Sequence, residues 1–270
     1  MEFFTISGEI PVHVYDSEKG DKTIVLLHGY LETLYIWDEF IHLINKEFRV
    51  ITMDLPGHGL TGTAPGINTV GYSAETVLRV MDRCRVEKAT IAGHSMGGYI
   101  ALEFAARFPS RLDSLVLMHS LPWADTTQKA EERRAEMGII EAGKLAAIVK
   151  KAVLKCYADV NLTRCKRKID ETVEIAETHE PQGIIASLRG MMTRPDNESV
   201  IKNLKIPLLM FFGEKDKYIT LDKASTAGSL LPGTTAVFLK NSGHNGFIEE
   251  PEVVSEILIN FIKRAPQKLQ

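Results

Sequence analysis

Six stretches of this chain are apolar without alternation: Thr23–Leu27, Val50–Met53, Thr90–Ala92, Leu115–Met118, Leu208–Phe212 and Ala236–Leu239. A strand with one face in water alternates apolar and polar side chains, whereas a parallel strand covered on both faces does not. Segments with the period of a helix lie between most of these runs: Trp37–Phe48, Ser73–Cys84, the Gly- and Ala-rich Met96–Phe108, and Glu252–Lys263. Buried strands alternating with amphipathic helices predict an α/β fold with a mainly parallel sheet. Two edge-type strands precede them, at about 3–7 and 10–15. Ile10–Tyr15 alternates as a half-exposed strand does. The sum is a mostly parallel sheet of eight strands flanked by helices.

The interval from about Leu121 to Pro195 breaks the rhythm. It holds no buried strand run and reads as four helices: Lys129–Ile140, Gly143–Tyr157, Lys166–Glu177 and Pro181–Met192. That is far longer than an ordinary strand-to-helix crossover. We therefore expect a helical cap, residues 121–195, inserted into a core made of residues 1–120 and 196–270. Within it, the basic run Arg164, Lys166, Arg167, Lys168 is followed by Asp170, Glu171, Glu174 and Glu177. Opposite charges three and four apart predict solvated helix pairing and not a binding patch.

Composition limits the partners. The chain has 32 Lys and Arg against 35 Asp and Glu, a net charge of −3. Such a balance carries no electrostatic footprint for nucleic acid or an anionic membrane. No apolar run reaches the ~18 residues of a transmembrane helix, and the start lacks the basic and apolar regions of a signal peptide. Cys84, Cys156 and Cys165 are odd in number and form no CxxC pair. A disulfide framework is not expected, and a reducing cytoplasm is the simpler setting. The expected state is a monomer or homodimer.

Gly93-His94-Ser95-Met96-Gly97 fits the G-x-S-x-G pattern, and its context matters more than the string. It follows the run Thr90–Ala92 and opens the helix that begins near Met96. A sharp strand-to-helix turn holds a serine in strained backbone angles and exposes its hydroxyl. The glycines admit close backbone approach. The helix N-terminus aims N–H groups and partial positive charge at a developing oxyanion.

On these residues the chain resembles the α/β-hydrolase superfamily, of the kind with a helical cap over the active site. The resemblance covers nearly the whole sequence. It implies a serine, acid and histidine in that chain order. Ser95 is the expected nucleophile. Ser242-Gly243-His244 follows the last strand run, which makes His244 the expected base, since a serine hydroxyl needs an imidazole to take its proton. Phe211-Phe212-Gly213-Glu214-Lys215-Asp216 ends a buried strand in a turn, and Asp216 fits the family's G-x-x-D position. Glu214, two residues earlier, and Asp125, after the strand ending at Met118, remain rivals for the acid. The oxyanion donors implied are the N–H of Met96 and, from His28-Gly29-Tyr30-Leu31, that of Tyr30. His28, Gly29 and the Asp54-Leu55-Pro56-Gly57-His58-Gly59 turn look structural. His94 should point away from the serine, and His42 and His179 read as surface or structural.

A serine nucleophile sets aside the aspartate-dependent dehalogenase and epoxide-hydrolase branches. Tyr99 stands near where the menaquinone-synthesis branch typically places a carboxylate-holding arginine, and G-H-S-M-G departs from the G-G-S-W-G of prolyl aminopeptidases. The expected reaction is therefore acyl transfer from a small ester or thioester to water, with no metal and no organic cofactor. The alternatives are a C–C bond hydrolase of vinylogous diketones, with Arg189 as the cap residue to hold a dienol acid, and a non-catalytic receptor. The expected pocket is apolar, built from Leu31, Trp123, Met192 and Phe247, and suited to an uncharged or weakly charged small molecule.

Overall fold

The unbroken apolar runs become the middle of a sheet. The computed structural model describes residues 1–264. Eight strands form one sheet: β1 (Glu2–Ser7), β2 (Ile10–Asp16), β3 (Thr23–Leu27), β4 (Arg49–Met53), β5 (Ala89–His94), β6 (Leu112–Met118), β7 (Leu208–Gly213) and β8 (Thr235–Leu239). Their spatial order is β1-β2-β4-β3-β5-β6-β7-β8. β1 pairs β2 and β2 pairs β4 antiparallel, and every later pair is parallel. Every residue of β5 and β7 is buried, as strands covered on both faces require. The outer strand β1 alternates exposed and covered positions.

The covering layers follow from where apolar stripes fall. One face packs against α2 (Val70–Arg83) and α3 (Met96–Arg107), with Val77, Met81, Ile100 and Phe104 in the shared core. The opposite face packs against α1 (Asp38–Ile44) and the C-terminal helix Pro251–Arg264, through Phe40, Ile44, Leu258 and Ile262. The chain thus leaves β3 for one face and β5 for the other. β3 and β5 are neighbours, so a crevice opens beyond their C-terminal ends. That is the topological switch point at which open α/β sheets bind ligands.

Between β6 and β7 the described residues hold no strand. They form α4 (Thr127–Glu141), α5 (Leu145–Lys155), α6 (Lys166–Glu177), α7 (Pro181–Met192) and the short α8 (Glu198–Lys202). Gly190 sets the approach of α7 to the core: a Cβ there would lie 1.8 Å from the Asn68 carbonyl oxygen. The basic run behaves as its spacing predicts in part, with Lys166 paired to Asp170 and Arg167 to Glu171. Lys168 instead is buried and donates to the Tyr35 carbonyl at 2.8 Å.

Three short helices carry too few turns to leave a periodic signal: α8, α9 (Leu221–Gly228) and α10 (Gly246–Glu249). The terminal helix Pro251–Arg264 is α11. No helix among the described residues is long and apolar enough to cross a membrane.

Candidate active site

Ser95 stands between β5 and α3 with φ 49° and ψ −110°, a conformation that L side chains rarely adopt. Close packing holds it there. Its N–H donates to the Met118 carbonyl at 2.9 Å, and its carbonyl accepts from Ser120 Oγ at 2.8 Å. A Cβ on Gly97 would lie 2.4 Å from the Leu27 carbonyl oxygen. Only glycine lets α3 start this close to β3.

The expected triad comes together from three strand ends. His244 Nε2 lies 2.9 Å from Ser95 Oγ, and His244 Nδ1 lies 2.7 Å from Asp216 Oδ2. The Asp216 carboxylate accepts N–H bonds from Tyr218 and Ile219 through Oδ1. Burial alone would raise its pKa. The His244 charge, the nearby His119 ring and the hydrogen bond from His244 outweigh that and hold it far below the usual carboxylate range. The rivals are elsewhere: Glu214 is exposed, and Asp125 is gripped by Arg133 and Arg194.

The loop 28–31 lies beside the serine. His28 Nδ1 donates to the Gly29 carbonyl and His28 Nε2 accepts from Leu55 N–H, so this ring shapes the loop. Leu31 takes φ 63°. Met96 is the first residue of α3 and its N–H has no intrahelical acceptor. Tyr30, Leu31 and Ser95 all line the same cavity.

Sequence reasoning missed three buried groups around the triad. His119, at the end of β6 with φ 51°, accepts from Gly246 N–H through Nε2 and turns Nδ1 toward Asp216 Oδ2, 3.5 Å away. Burial pushes its pKa down to about 4, so it stays a neutral partner of the acid. His119, Asp216 and His244 are close enough to ligate a metal, yet the proton on His244 Nδ1 occupies the space between imidazole and carboxylate.

The other two are Glu32 and His94. His94 does turn away from the serine, and it has a task. Its Nδ1 lies 2.9 Å from Glu32 Oε2 and its Nε2 lies 2.9 Å from the His244 carbonyl oxygen. Both neighbours are acceptors, so both ring nitrogens carry protons. Glu32 also accepts from Gly29 N–H at 2.6 Å. Burial opposes both charges. The pair overcomes it: Glu32 raises the His94 pKa, and His94 lowers that of Glu32. One ion pair thus ties the loop 28–31, the end of β5 and the His244 backbone, whose N–H is held by the Cys156 carbonyl at 2.7 Å.

Glu32→Gln should therefore destabilise the fold by roughly 3 kcal/mol, the cost of leaving one buried charge without its partner. It should also cut kcat by about tenfold or more through misplacement of His244. Glu32, with its lowered pKa, contributes above the ordinary 4.5 and loses that contribution as pH falls further. His94, with its raised pKa, contributes fully below 6.5 and loses it as pH rises through its folded value. Thermal melts across pH should show the wild-type advantage greatest between about 4.5 and 6.5. A constant difference from pH 4 to 9 would remove the ion pair.

The cavity over the serine measures about 580 Å³. Two expected pocket residues, Leu31 and Trp123, line it, and two do not. Met192 is replaced by Met191, because adjacent helix positions point about 100° apart. Phe247 lies beneath the triad, 4.2 Å from the Trp37 ring, and faces a separate pocket with Phe40. Arg189 points outward, half exposed and 3.9 Å from Glu141. The mainly apolar lining also carries charged groups. Arg133 and Arg194 form part of its wall, and Lys129, Lys155, Lys217 and Lys223 also line it. The Arg194 guanidinium lies 3.9 Å from the Tyr99 ring centroid.

An eight-stranded sheet with a strained serine at its switch point defines a hydrolase-type α/β protein. The chain has the α/β-hydrolase fold, and its residues 22–137 match the family described as α/β hydrolase fold. A putative 2-succinyl-6-hydroxy-2,4-cyclohexadiene-1-carboxylate synthase of Bacillus subtilis is 26% identical, over 96% of this chain and 97% of that one. A 2-hydroxy-6-oxononadienedioate/2-hydroxy-6-oxononatrienedioate hydrolase of Paraburkholderia phymatum is 26% identical, over 94% and 91%. A thermophilic esterase from Thermogutta terrifontis superposes with a TM-score of 0.92 at 23% identity, over 99% of this chain and 100% of that one.

Proposed function

We propose that this chain is a serine hydrolase that cleaves a small carboxylic ester or thioester through an acyl-enzyme. The observation that carries this reading is the continuous Ser95–His244–Asp216 hydrogen-bond chain opening onto the cavity. His244 Nε2 takes the Ser95 proton as Oγ attacks the acyl carbon. The N–H groups of Tyr30 and Met96 receive the oxyanion; each such donor is typically worth about 10²–10³ in kcat. The protonated imidazole then gives its proton to the leaving alkoxide or thiolate. Water, deprotonated by His244, cleaves the acyl-Ser95 bond and releases the acid. Asp216 holds the proton on Nδ1 throughout and stabilises the imidazolium. The chemistry calls for no cofactor. Residues 121–195 act in this reading as the cap that closes the substrate space.

A second reading, C–C bond hydrolysis by the same triad, is favoured by one observation: the cap does present arginines, Arg133 and Arg194, to the cavity. The two are separated by treating the protein with a fluorophosphonate probe and assaying aryl esters of increasing acyl length. The expected result is a covalent adduct on the peptide containing Ser95 together with ester turnover. No adduct would overturn the serine-hydrolase reading. An adduct without turnover of any ester would favour C–C cleavage.

A further inference from the structure

The charges in the cavity wall do not cancel. Asp125 is almost fully buried and accepts from Arg133 Nε at 2.6 Å and from Arg194 Nη1 at 2.6 Å. Two guanidiniums, 7% and 9% exposed, thus share one carboxylate. Burying a charge or a donor without a partner is costly, so a guanidinium N–H that this group leaves unspent calls for an acceptor in the cavity.

The two arginines are not equivalent. Arg194 is consumed by structure: Nη1 also donates to the Met191 carbonyl, Nη2 donates to the Trp123 carbonyl, and the guanidinium covers the Tyr99 ring. Arg133 spends Nε and Nη2 on Asp125 and has no protein acceptor for Nη1 among the described residues. Glu136 of α4 lines the same wall and acts on Arg133 through its charge, but its hydrogen bond comes from the Tyr30 hydroxyl at 2.7 Å. Arg133 is therefore the guanidinium with a donor to spare.

The mouth repeats the sign. Among the described residues Lys155 has no carboxylate partner, and it lies 4.1 Å from the centroid of the Tyr218 ring, itself 4.9 Å from His244. Lys217 and Lys223 line the same opening. Of the cationic residues around the cavity, Lys129 is matched by Glu132 and Lys217 by Asp159. The cations outnumber the carboxylates Asp125, Glu132 and Glu136 of the same wall, and a cavity with an excess of one sign concentrates ligands of the opposite sign. The overall charge of −3 conceals this, because surface carboxylates elsewhere outnumber the local cations.

We infer that the substrate carries a free carboxylate, remote from the bond that is cleaved, and that Arg133 Nη1 receives it. Glu136, in the same wall, offsets the +1 of the Arg133–Asp125–Arg194 group, so what draws the carboxylate is the unspent Arg133 donor together with the lysines at the mouth. The substrate class is then a short half-ester or half-thioester of a dicarboxylic acid. This inference rests on the reading of Ser95 as nucleophile, and its test separates the two.

Mono-4-nitrophenyl glutarate and 4-nitrophenyl butyrate present the same leaving group on acyl chains with and without a carboxylate. The wild-type protein should favour the half-ester at least tenfold in kcat/KM. Arg133→Met leaves Asp125 and Arg194 as a balanced pair, and in it the preference should fall to near unity. Arg133→Lys, which keeps the charge, should retain part of it. Free glutarate should raise the melting temperature of the wild type and not that of Arg133→Met, a readout that needs no turnover. Equal kcat/KM values on the two esters with no glutarate shift would overturn the inference, while a Ser95 adduct would leave the hydrolase reading standing. If no ester is turned over and Ser95 is not labelled, the glutarate shift alone decides whether the carboxylate site exists. Both wild-type measurements hold even if Arg133→Met fails to fold.

Discussion

Ser95→Ala should lower kcat on any ester by about 10⁶, the loss expected when a nucleophile is removed from a triad. The expected residue of activity is the 10³–10⁴ over water that oxyanion stabilisation and binding supply by themselves. Folding should survive. The elbow is held by the Met118 and Ser120 bonds to the Ser95 backbone and by the contact of Gly97 with Leu27. The only side-chain bond removed is the one to His244 Nε2. Steady-state kinetics with an aryl ester, beside a thermal melt of the same preparation, check both halves. Turnover within a hundredfold of wild type in a folded Ser95→Ala protein would assign the chemistry to another group.

The convergence of Ser95, Asp216 and His244 was legible because each follows an apolar strand run. β5 and β7, which precede Ser95 and Asp216, are buried on both faces, and a continuous apolar run marks where such a strand ends; β8, which precedes His244, is only half-buried. The glycines around Ser95 add a second, independent signal, since the tight turn has no other solution. Gly213 and Gly243 meet in the same way: a Cβ on Gly213 would lie 2.0 Å from the Gly243 carbonyl oxygen. That contact brings the turns carrying Asp216 and His244 together.

What could not be read is the side-chain pairing between distant segments. Glu32 and His94 lie 62 positions apart, and His94 and the His244 carbonyl 150. No local pattern announces a bond across such intervals. Glu32 looks like an exposed loop acid, although its position three residues after Gly29 lets it close the loop on the Gly29 N–H. Arg133 was hidden for a related reason. It sits in α4 among Lys129, Glu131, Glu132, Arg134 and Glu136, a stretch that reads as a solvated helix face. Only its 7% exposure distinguishes it. The expectation of an apolar cavity lacked the same residue: the lining is mainly apolar, but Met192 and Phe247 lie outside it and charged cap residues enter it.

Asp216→Asn should lower kcat by about 10⁴ with the fold retained. The argument turns on which atom of the amide replaces which oxygen. Asp216 Oδ1 accepts from the N–H groups of Tyr218 and Ile219, at 2.7 and 3.0 Å. These buried donors must keep an acceptor, so the amide oxygen takes that place and the NH₂ group falls where Oδ2 was. That group donates, and His244 Nδ1 can then only accept. The imidazole proton moves to Nε2, where it faces Ser95 Oγ, and the base can no longer take the serine proton. His119 Nδ1 faces the same NH₂ group and loses its partner too. The acid cannot be replaced locally, because Glu214 is exposed and Asp125 is bound to two arginines. Stability gives an independent check. The folded pKa of Asp216 lies far below the ordinary 3.8, so its ionised form stabilises the fold above about 3.8 and loses that contribution as pH falls further. The melting temperatures of wild type and Asp216→Asn should accordingly differ most at neutral pH and converge below about pH 4. Near-normal turnover in the variant would take the acid role from Asp216. Low turnover with parallel melting curves at every pH would keep the tautomer argument and discard the charge.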